Sequence, residues 1–387
     1  MRKKRIGILI NSMTNGGAEK VASLLAREIN RKEYEVEFIL LEKDDFYEPP
    51  KEVRVTYLSD QTEKEPSYVK FFSLFYFAFK LKKLLSEREI RFVQSHIYRS
   101  NFVNILAKFF GAKHKTQLVN HGILSRHKGD GIRGFVVIML TKLLYPYSDE
   151  CILVSNEMKI DMEGQVGIKN SKVINNPFDF KVIEQLSKAP SLEKGFLFQT
   201  HKKYLICAGR CIKIKRFDVI IKSLPLLPGN IDLIVLGDGE EQSKLIELSE
   251  KLNIAERVHF LGNVENPFNF FERSNIFILS SETEGFPMVL IEAMACGLPI
   301  ITTDCISGPR EILDAEGRKL GDKSYEFTDF GILTKIGDPE CLAEVISLLI
   351  EDNSLISNYK INSRKRISVY SIENIVGKYI QNIRGIL

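Results

Sequence analysis

Ile276-Phe277-Ile278-Leu279-Ser280, then Ser281-Glu282-Thr283-Glu284-Gly285-Phe286, then Pro287-Met288-Val289-Leu290-Ile291-Glu292-Ala293-Met294-Ala295-Cys296-Gly297-Leu298-Pro299: this stretch decides the fold. Its first five residues form a short apolar run, as in a buried parallel strand. A polar loop follows. Pro287 suits a helix start, where its missing N–H would be unpaired anyway. Gly297 and Pro299 close that helix. The order strand, loop, helix N-terminus places unpaired N–H groups at the carboxyl edge of a sheet, a setting for phosphate. Glu284 stands in the loop. Glu292 stands more than a turn into the helix beside Val289, Ala293 and Cys296. A carboxylate among such neighbours needs a hydrogen-bonding partner. A ribose or sugar hydroxyl pair is one; a buried ion pair or a capping contact is the bland alternative.

The same order recurs upstream. Lys203–Ala208 is a strand, Gly209-Arg210-Cys211-Ile212-Lys213-Ile214-Lys215 its loop, and a helix begins near Phe217. A guanidinium fork and an ammonium at one strand end suit a diphosphate, against the alternative of plain surface charge. Ile231–Leu236 with Gly237-Asp238-Gly239, and Val258–Leu261 with Gly262-Asn263-Val264, read as two more strands and turns. Gly331–Leu333 reads as a late strand, Asp338–Asp352 as a helix, and the tail after Arg364 as another.

The first half repeats the alternation. Ile6–Ile10 is a strand, followed by a loop holding Gly16-Gly17 and a helix carrying Val21, Leu24, Leu25 and Ile29. The loop is either an anion site or a tight turn needing glycine; it is not GxGxxG. Strands follow at Tyr34–Leu41, Val53–Leu58, Phe92–His96, Gln117–His121, Cys151–Ser155 and Lys172–Asn176, with a loop at Gln61–Ser67 and a helix at Asn101–Phe110. His96 and His121 each end a strand, where ligands of open α/β sheets bind. Tyr68–Leu85 and Phe135–Tyr147 are apolar, aromatic and lysine-bearing, and Ser125–Arg133 is basic, with Arg126 and Arg133. The 68–85 segment packs aromatics on a sheet, or lies in an anionic membrane interface, or does both in part. Arg126 and Arg133 would contact an acceptor phosphate or the membrane, unless they are simply solvated.

The chain has 387 residues, 44% of them hydrophobic and 27% charged, so two domains are expected. A net charge of +4 gives no basic stripe, and no nucleic-acid partner is expected. The six cysteines show no paired spacing and read as reduced core residues of a cytosolic protein, with no metal site. No signal peptide is apparent, and no window approaches the ~18 apolar residues of a spanning helix.

Glu284-x7-Glu292 with Gly285-Phe286-Pro287, continued by Glu292–Asp304 and by Gly308-Pro309-Arg310-Glu311, resembles the signature of the retaining glycosyltransferases of family 4, bacterial polysaccharide and lipid-linked-oligosaccharide branch. Gly209-Arg210-x4-Lys215 is similar to that family's donor-phosphate motif. The resemblance implies an α/β GT-B fold: two Rossmann-like doubly wound domains facing across a cleft. The domains would be 1–179 and 201–367, with a linker at 180–200 after Asn175-Asn176-Pro177, and a last helix, 368–387, packing back on the first.

It implies transfer of a hexose or N-acetylhexosamine from a nucleotide-diphosphate donor, UDP foremost. Arg210 and Lys215 would neutralise the departing diphosphate, joined by the amides of Phe286 to Leu290 other than Pro287, with Gly285 also at the donor. Glu284 would bind donor-sugar hydroxyls, Glu292 the ribose, and the loop at Val264 the base. Gly16 and Gly17 would close on the donor. His121, and His96 with it, would position the transferred sugar or acceptor. Retention would be by front-face substitution, the leaving phosphate taking the acceptor proton, with no protein nucleophile, metal or cofactor. The aromatic and basic stretches favour a polyprenyl-diphosphate-linked saccharide as acceptor, at the cytoplasmic face of a membrane to which the enzyme is peripherally bound. The alternatives are a nucleotide-sugar epimerase, a non-catalytic nucleotide-sugar-binding protein and a nicotinamide dehydrogenase, the last disfavoured by the lack of GxGxxG.

Overall fold

Continuous apolar runs, buried on both faces, make the strands of two parallel sheets. The computed structural model describes residues 3–14, 16–44, 48–60, 67–189, 195–317, 320 and 324–387, with backbone only at 67–70. The expected loop at 61–66 and the segment 190–194 of the expected linker lie outside the described residues. The chain divides into two compact units, Met1–Pro177 with Ile372–Leu387, and Phe178–Ser371.

The first unit holds strands β1 (Arg5–Ile10), β2 (Glu35–Leu40), β3 (Arg54–Tyr57), β4 (Phe92–His96), β5 (Lys115–Asn120), β6 (Glu150–Leu153) and β7 (Ser171–Val173). They form one seven-stranded sheet in the order β3-β2-β1-β4-β5-β6-β7, every pairing parallel. Helices α1 (Gly17–Lys32), α2 (Ser67–Glu87), α3 (Tyr98–Phe109), α4 (Gly131–Leu144) and α5 (Asn156–Val166) connect them. Strand order reverses between β1 and β4, and the crevice at the carboxyl ends of such a reversal is where open α/β sheets generally bind ligands.

The second unit opens with helix α6 (Phe180–Ser187), inside the segment read as linker. The reason is local: Asp179 caps it through the Val182 amide, Ile183 is buried, and it packs on α9 (Phe268–Arg273). Strands β8 (Lys203–Ala208), β9 (Ile231–Leu236), β10 (Val258–Gly262), β11 (Ile276–Leu279), β12 (Ile300–Thr303), β13 (Tyr325–Phe327) and β14 (Ile332–Thr334) form the second seven-stranded sheet, ordered β10-β9-β8-β11-β12-β14-β13. Only the edge pairing of β13 with β14 is antiparallel among them. The reversal falls between β8 and β11, the strands that carry the two motifs. Around them lie α7 (Phe217–Ser223), α8 (Gln242–Lys251), α10 (Met288–Ala295), α11 (Pro309–Ile312), α12 (Pro339–Glu351) and α13 (Asn353–Ile367).

The late helices differ from the sequence reading. Asp352, taken as the end of one helix, accepts from the Ser354 and Leu355 amides at 2.9 Å and so caps α13. Arg364 lies inside α13, and the chain's last helix, α14 (Ile372–Ile386), starts only after Ser371. α14 belongs to the first unit, packing on α1, with the Arg384 guanidinium donating to both Glu33 oxygens at 2.6–3.0 Å. All six cysteines are buried and unpaired.

Candidate active site

Two loops meet at the reversal point of the second sheet. The 209–216 loop leaves β8 and the 280–287 loop leaves β11. Ser280 Oγ donates to the Lys215 carbonyl at 2.8 Å, and the Glu282 amide to the Ile214 carbonyl at 2.9 Å. Arg216, in the left-handed region at φ 51°, ties them again through Asp218 at 3.0 Å and Glu282 at 2.7 Å. The loops of the neighbouring strands join this edge: the Gly209 amide donates to Leu236 at 2.9 Å, Cys211 to Asp238 at 2.9 Å, and Gly237 to Gly262 at 2.8 Å. Gly237, at φ 120°, must be glycine, since a Cβ there would stand 2.0 Å from the Gly209 carbonyl oxygen.

The two motifs touch. Lys215 Nζ lies 2.6 Å from Glu284 Oε1, with both side chains largely buried, and Ser281 Oγ donates to the same oxygen at 2.6 Å. The sequence reading assigned these residues separate tasks and did not foresee the pair. Arg210 leaves the same loop exposed, its guanidinium without a partner among the described residues. Behind the loop, Pro287 is the cap residue of α10, which begins at Met288. Gly308, at φ +93°, leaves no room for a Cβ, which would fall 2.3 Å from Pro287 Cδ, and Ser307 Oγ donates to the Gly285 carbonyl at 2.6 Å.

The far end of α10 is a Schellman turn. Leu298 N–H reaches the Ala293 carbonyl at 3.1 Å and Gly297 N–H the Met294 carbonyl at 3.0 Å, with Gly297 at φ +78°. Of the amides assigned to phosphate, that of Leu290 is corrected: it donates to the Pro287 carbonyl at 3.0 Å, and its side chain is fully buried. Glycine 285, Met288, Val289, Glu292 and Val264 are all half-buried, and Phe286 is buried edge-on against Tyr370 at 5.5 Å. Arg310 makes a two-point pair with Asp304 at 2.6 and 2.7 Å, a structural role. Burial, reinforced by the Glu284 charge, pushes the Cys305 thiol up to about 12, and burial pushes Cys211 up to about 11, so neither is an activated nucleophile.

The reversal point of the first sheet sets neutral groups beside two buried carboxylates: Glu42, which takes both guanidinium arms of Arg99 at 2.7 Å, and Glu19, which accepts from Thr14 at 2.9 Å. Gly16 caps α1, where a Cβ would displace the end of the Glu19 side chain; Gly17 is the first residue of the helix. Ser100 Oγ donates to Asn11 Oδ1 at 2.8 Å, joining the loop after β1 to the start of α3. His96 and His121 come together, His96 Nδ1 to His121 Nε2 at 3.0 Å, with rings stacked at 5.3 Å. Burial lowers His121 to about 4, and burial followed by the His121 neighbour drives His96 well below the ordinary range, so both are neutral near neutrality. Ile97, next to His96, holds φ 63° and ψ 157°, a conformation a β-branched residue rarely adopts, and such strain gathers at ligand sites. Arg126 and Arg133 are exposed on the following loop and on α4.

The family model described as Glycosyl transferases group 1 matches residues 190–366, and that described as Glycosyltransferase Family 4 matches residues 15–182. An uncharacterised glycosyltransferase of Methanocaldococcus jannaschii is 32% identical over 342 residues, 79% of this chain and 82% of that protein. The chain belongs to the group 1, family 4 glycosyltransferases. Along the whole transferase, the N-acetylgalactosamine-N,N'-diacetylbacillosaminyl-diphospho-undecaprenol 4-alpha-N-acetylgalactosaminyltransferase of Campylobacter jejuni is 27% identical over 387 residues, 99% of this chain and 100% of that protein. Among solved structures, Anabaena HepE in complex with UDP aligns at TM-score 0.75 and 20% identity over 98% of this chain and 100% of its own. The fold is accordingly GT-B, with two Rossmann-like domains. Membership sets aside the epimerase, dehydrogenase and binding-protein alternatives.

The transferase carries one further surface of note. On α4, Ile132, Phe135, Met139 and Leu143 are exposed at 85%, 67%, 43% and 60%, one apolar stripe turned to solvent. On α2, Phe77, Ala78 and Leu81 are buried while Phe72, Phe75, Tyr76 and Phe79 are exposed. Packing within the first unit therefore accounts for only one face of α2. Both helices pack on α3. Among the described residues no helix is long and apolar enough to cross a membrane.

Proposed function

We propose that the enzyme is a retaining transferase that moves a hexose or N-acetylhexosamine from a UDP-sugar to a polyprenyl-diphosphate-linked saccharide in bacterial glycan assembly. The observation that carries the donor half is the Lys215–Glu284 contact of 2.6 Å at the reversal point of the second sheet, with the unpartnered Arg210 on the same loop. A diphosphate bound there would meet two cations and the amides at the start of α10, from Gly285, Phe286, Met288 and Val289. Glu284, held by Lys215 and Ser281, would also take the donor-sugar hydroxyls, Glu292 would take the ribose, and the backbone near Val264 the base. The sugar–phosphate C–O bond breaks as the acceptor oxygen bonds the same carbon from the same face, and the acceptor proton passes to the leaving phosphate oxygen. The neutralising charge comes from side chains, so chelator should leave the rate unchanged.

In the first domain, Gly16, Gly17, His121 and His96 would hold the sugar or acceptor through neutral hydrogen bonds. The UDP in HepE and the undecaprenol-linked acceptor in the name of the C. jejuni relative support this choice of substrates. The exposed stripes of α2 and α4, with Arg126, Lys128 and Arg133, support a peripheral site on the cytoplasmic face of an anionic membrane.

The test is a panel of UDP- and GDP-sugars by thermal shift, then nucleotide release with a polyprenyl-diphosphate-saccharide extract. Stabilisation by a UDP-sugar with extract-dependent UDP release is expected. Stabilisation by GDP-sugars alone, or release equal with and without extract, would overturn the donor or the acceptor assignment respectively.

A further inference from the structure

Glu150 sits far along the first sheet from the histidines, on β6, yet it is connected to them. Gln94 and His96 project from one face of β4, two residues apart. Gln94 is paired in register with Gln117 on β5, and Gln117 with Glu150 on β6. Their side chains form an unbroken line: Gln117 Nε2 to Glu150 Oε2 at 2.6 Å, Gln94 Nε2 to Gln117 Oε1 at 2.5 Å, His96 Nε2 to Gln94 Oε1 at 3.0 Å, and His121 Nε2 to His96 Nδ1 at 3.0 Å. Gln94, His96 and Gln117 are fully buried and Glu150 is 4% exposed. At the outer end Lys172 Nζ lies 2.7 Å from Glu150 Oε1 and 2.7 Å from Asn382 Oδ1. At the inner end His121 Nδ1 is buried with no partner among the described residues.

A line of amides and neutral imidazoles has two directions, and its ends choose between them. An ionised carboxylate can only accept. Gln117 must therefore turn its NH₂ to Glu150 and its carbonyl to Gln94. Gln94 must turn its carbonyl to His96, so His96 carries its proton on Nε2 and accepts on Nδ1. His121 must then donate from Nε2, which leaves its Nδ1 a bare lone pair. We propose that Glu150 is a positioning residue that fixes the tautomers of both histidines through this line, presenting His121 Nδ1 as an acceptor for a substrate hydroxyl. The ligand half of that statement rests on the placing of His121 in the active site. The low basicity of both imidazoles keeps the line in its neutral form. An unpaired buried acceptor is costly, and a hydroxyl donor would relieve it. The neighbouring Gly122 has nothing within 4 Å of where a Cβ would stand, so there is open space at the residue that follows the ring.

The substitution Glu150→Gln makes a sharp test. Lys172 can only donate, so it would draw the new amide's carbonyl to itself and turn the NH₂ toward Gln117. Every bond of the line then reverses, and His121 carries its proton on Nδ1. With ¹⁵N-histidine in the full-length protein, long-range ¹H–¹⁵N spectra without substrate should show both histidines protonated on Nε2 in the wild type. They should show both protonated on Nδ1 in Glu150→Gln, and the wild-type pattern in Lys172→Met, where the carboxylate still only accepts. A wild-type His121 protonated on Nδ1, or mixed between tautomers, overturns the proposal even if no variant folds. An unchanged pattern in Glu150→Gln overturns the role of Glu150. With substrates, reversal should lower kcat/KM at least about tenfold. If the pattern reverses while His121→Ala turns over like wild type, the line stands and the placing of His121 in the active site fails.

Discussion

The two sheets share a strand order up to the edge hairpin, yet their reversal points carry different chemistry. The second sheet ends in charge: Lys215 against Glu284 at 2.6 Å, Arg216 against Asp218 and Glu282, and Arg210 in solvent. The first compensates its cation Arg99 internally, on Glu42 at 2.7 Å, and presents two histidines held uncharged by burial, with an imidazole nitrogen that has no partner among the described residues. A dianionic leaving group needs full charges close by, whereas sugar hydroxyls need oriented donors and acceptors that survive without charge. On the proposed function, one topology would serve two tasks through the residues at its strand ends, as expected where function lies in the site and not in the fold.

Breaking the charged edge should have the largest effect. Lys215→Ala removes a cation from the leaving diphosphate and leaves Glu284 unpaired in a mostly buried position. Turnover should fall roughly 10²–10³-fold, measured as UDP release at saturating donor. A loss within threefold would mean the edge does not handle the developing charge.

Acid should separate the two edges next. His96 and His121, with His114 lowered to about 4 by burial, all ionise in the folded first domain below the ordinary 6.5. The unfolded chain therefore takes up protons first as pH falls. The stability these groups contribute is complete above about 6.5 and drains away toward about 4, by up to ~1.4 kcal/mol per pH unit for each histidine. Hydrogen exchange in peptides from β4 and β5 should accelerate over that range more than in peptides from β8 and β11. Equal acceleration in both sheets would contradict the contrast.

Glycines sharpen it in a third way. Gly308→Ala puts a methyl 2.3 Å from Pro287 Cδ at a left-handed φ, and should cost about 1–3 kcal/mol by thermal or urea unfolding. Gly122→Ala, beside His121, meets nothing within 4 Å and should unfold like wild type. The smallest effect is at the surface. Phe135→Ser with Leu143→Ser should weaken flotation with anionic vesicles several-fold and change stability by no more than ~0.5 kcal/mol. Undiminished flotation would remove the stripe of α4 from membrane contact.

Much of the donor edge is legible in the chain because its signals are local. Ile276–Leu279 is a strand whose apolar run needs no context, Pro287 and Gly297 bound α10, and Lys203–Ala208 is read to the residue. What escapes the sequence depends on register or on distance. Lys215 and Glu284 are 69 positions apart, and nothing short of the β8–β11 pairing brings them together. Gln94, Gln117 and Glu150 are unremarkable polar residues until three strands align. β12 and β13 are short and escape a reading by apolar runs; α6 escapes because eight residues give little periodicity. The exposure of α2 and α4 is legible only as one of two readings, since an apolar face looks the same whether it meets a sheet or water.

The central claim is that the second domain's edge binds a nucleoside diphosphate through its phosphates. Calorimetric titration of wild type and Arg210→Ala with UDP and with uridine tests it directly. The account predicts that UDP binds at least about tenfold more tightly than uridine to the wild type, and that Arg210→Ala narrows the gap by weakening UDP alone. Equal affinity for UDP and uridine, or a gap that Arg210→Ala leaves untouched, would contradict it.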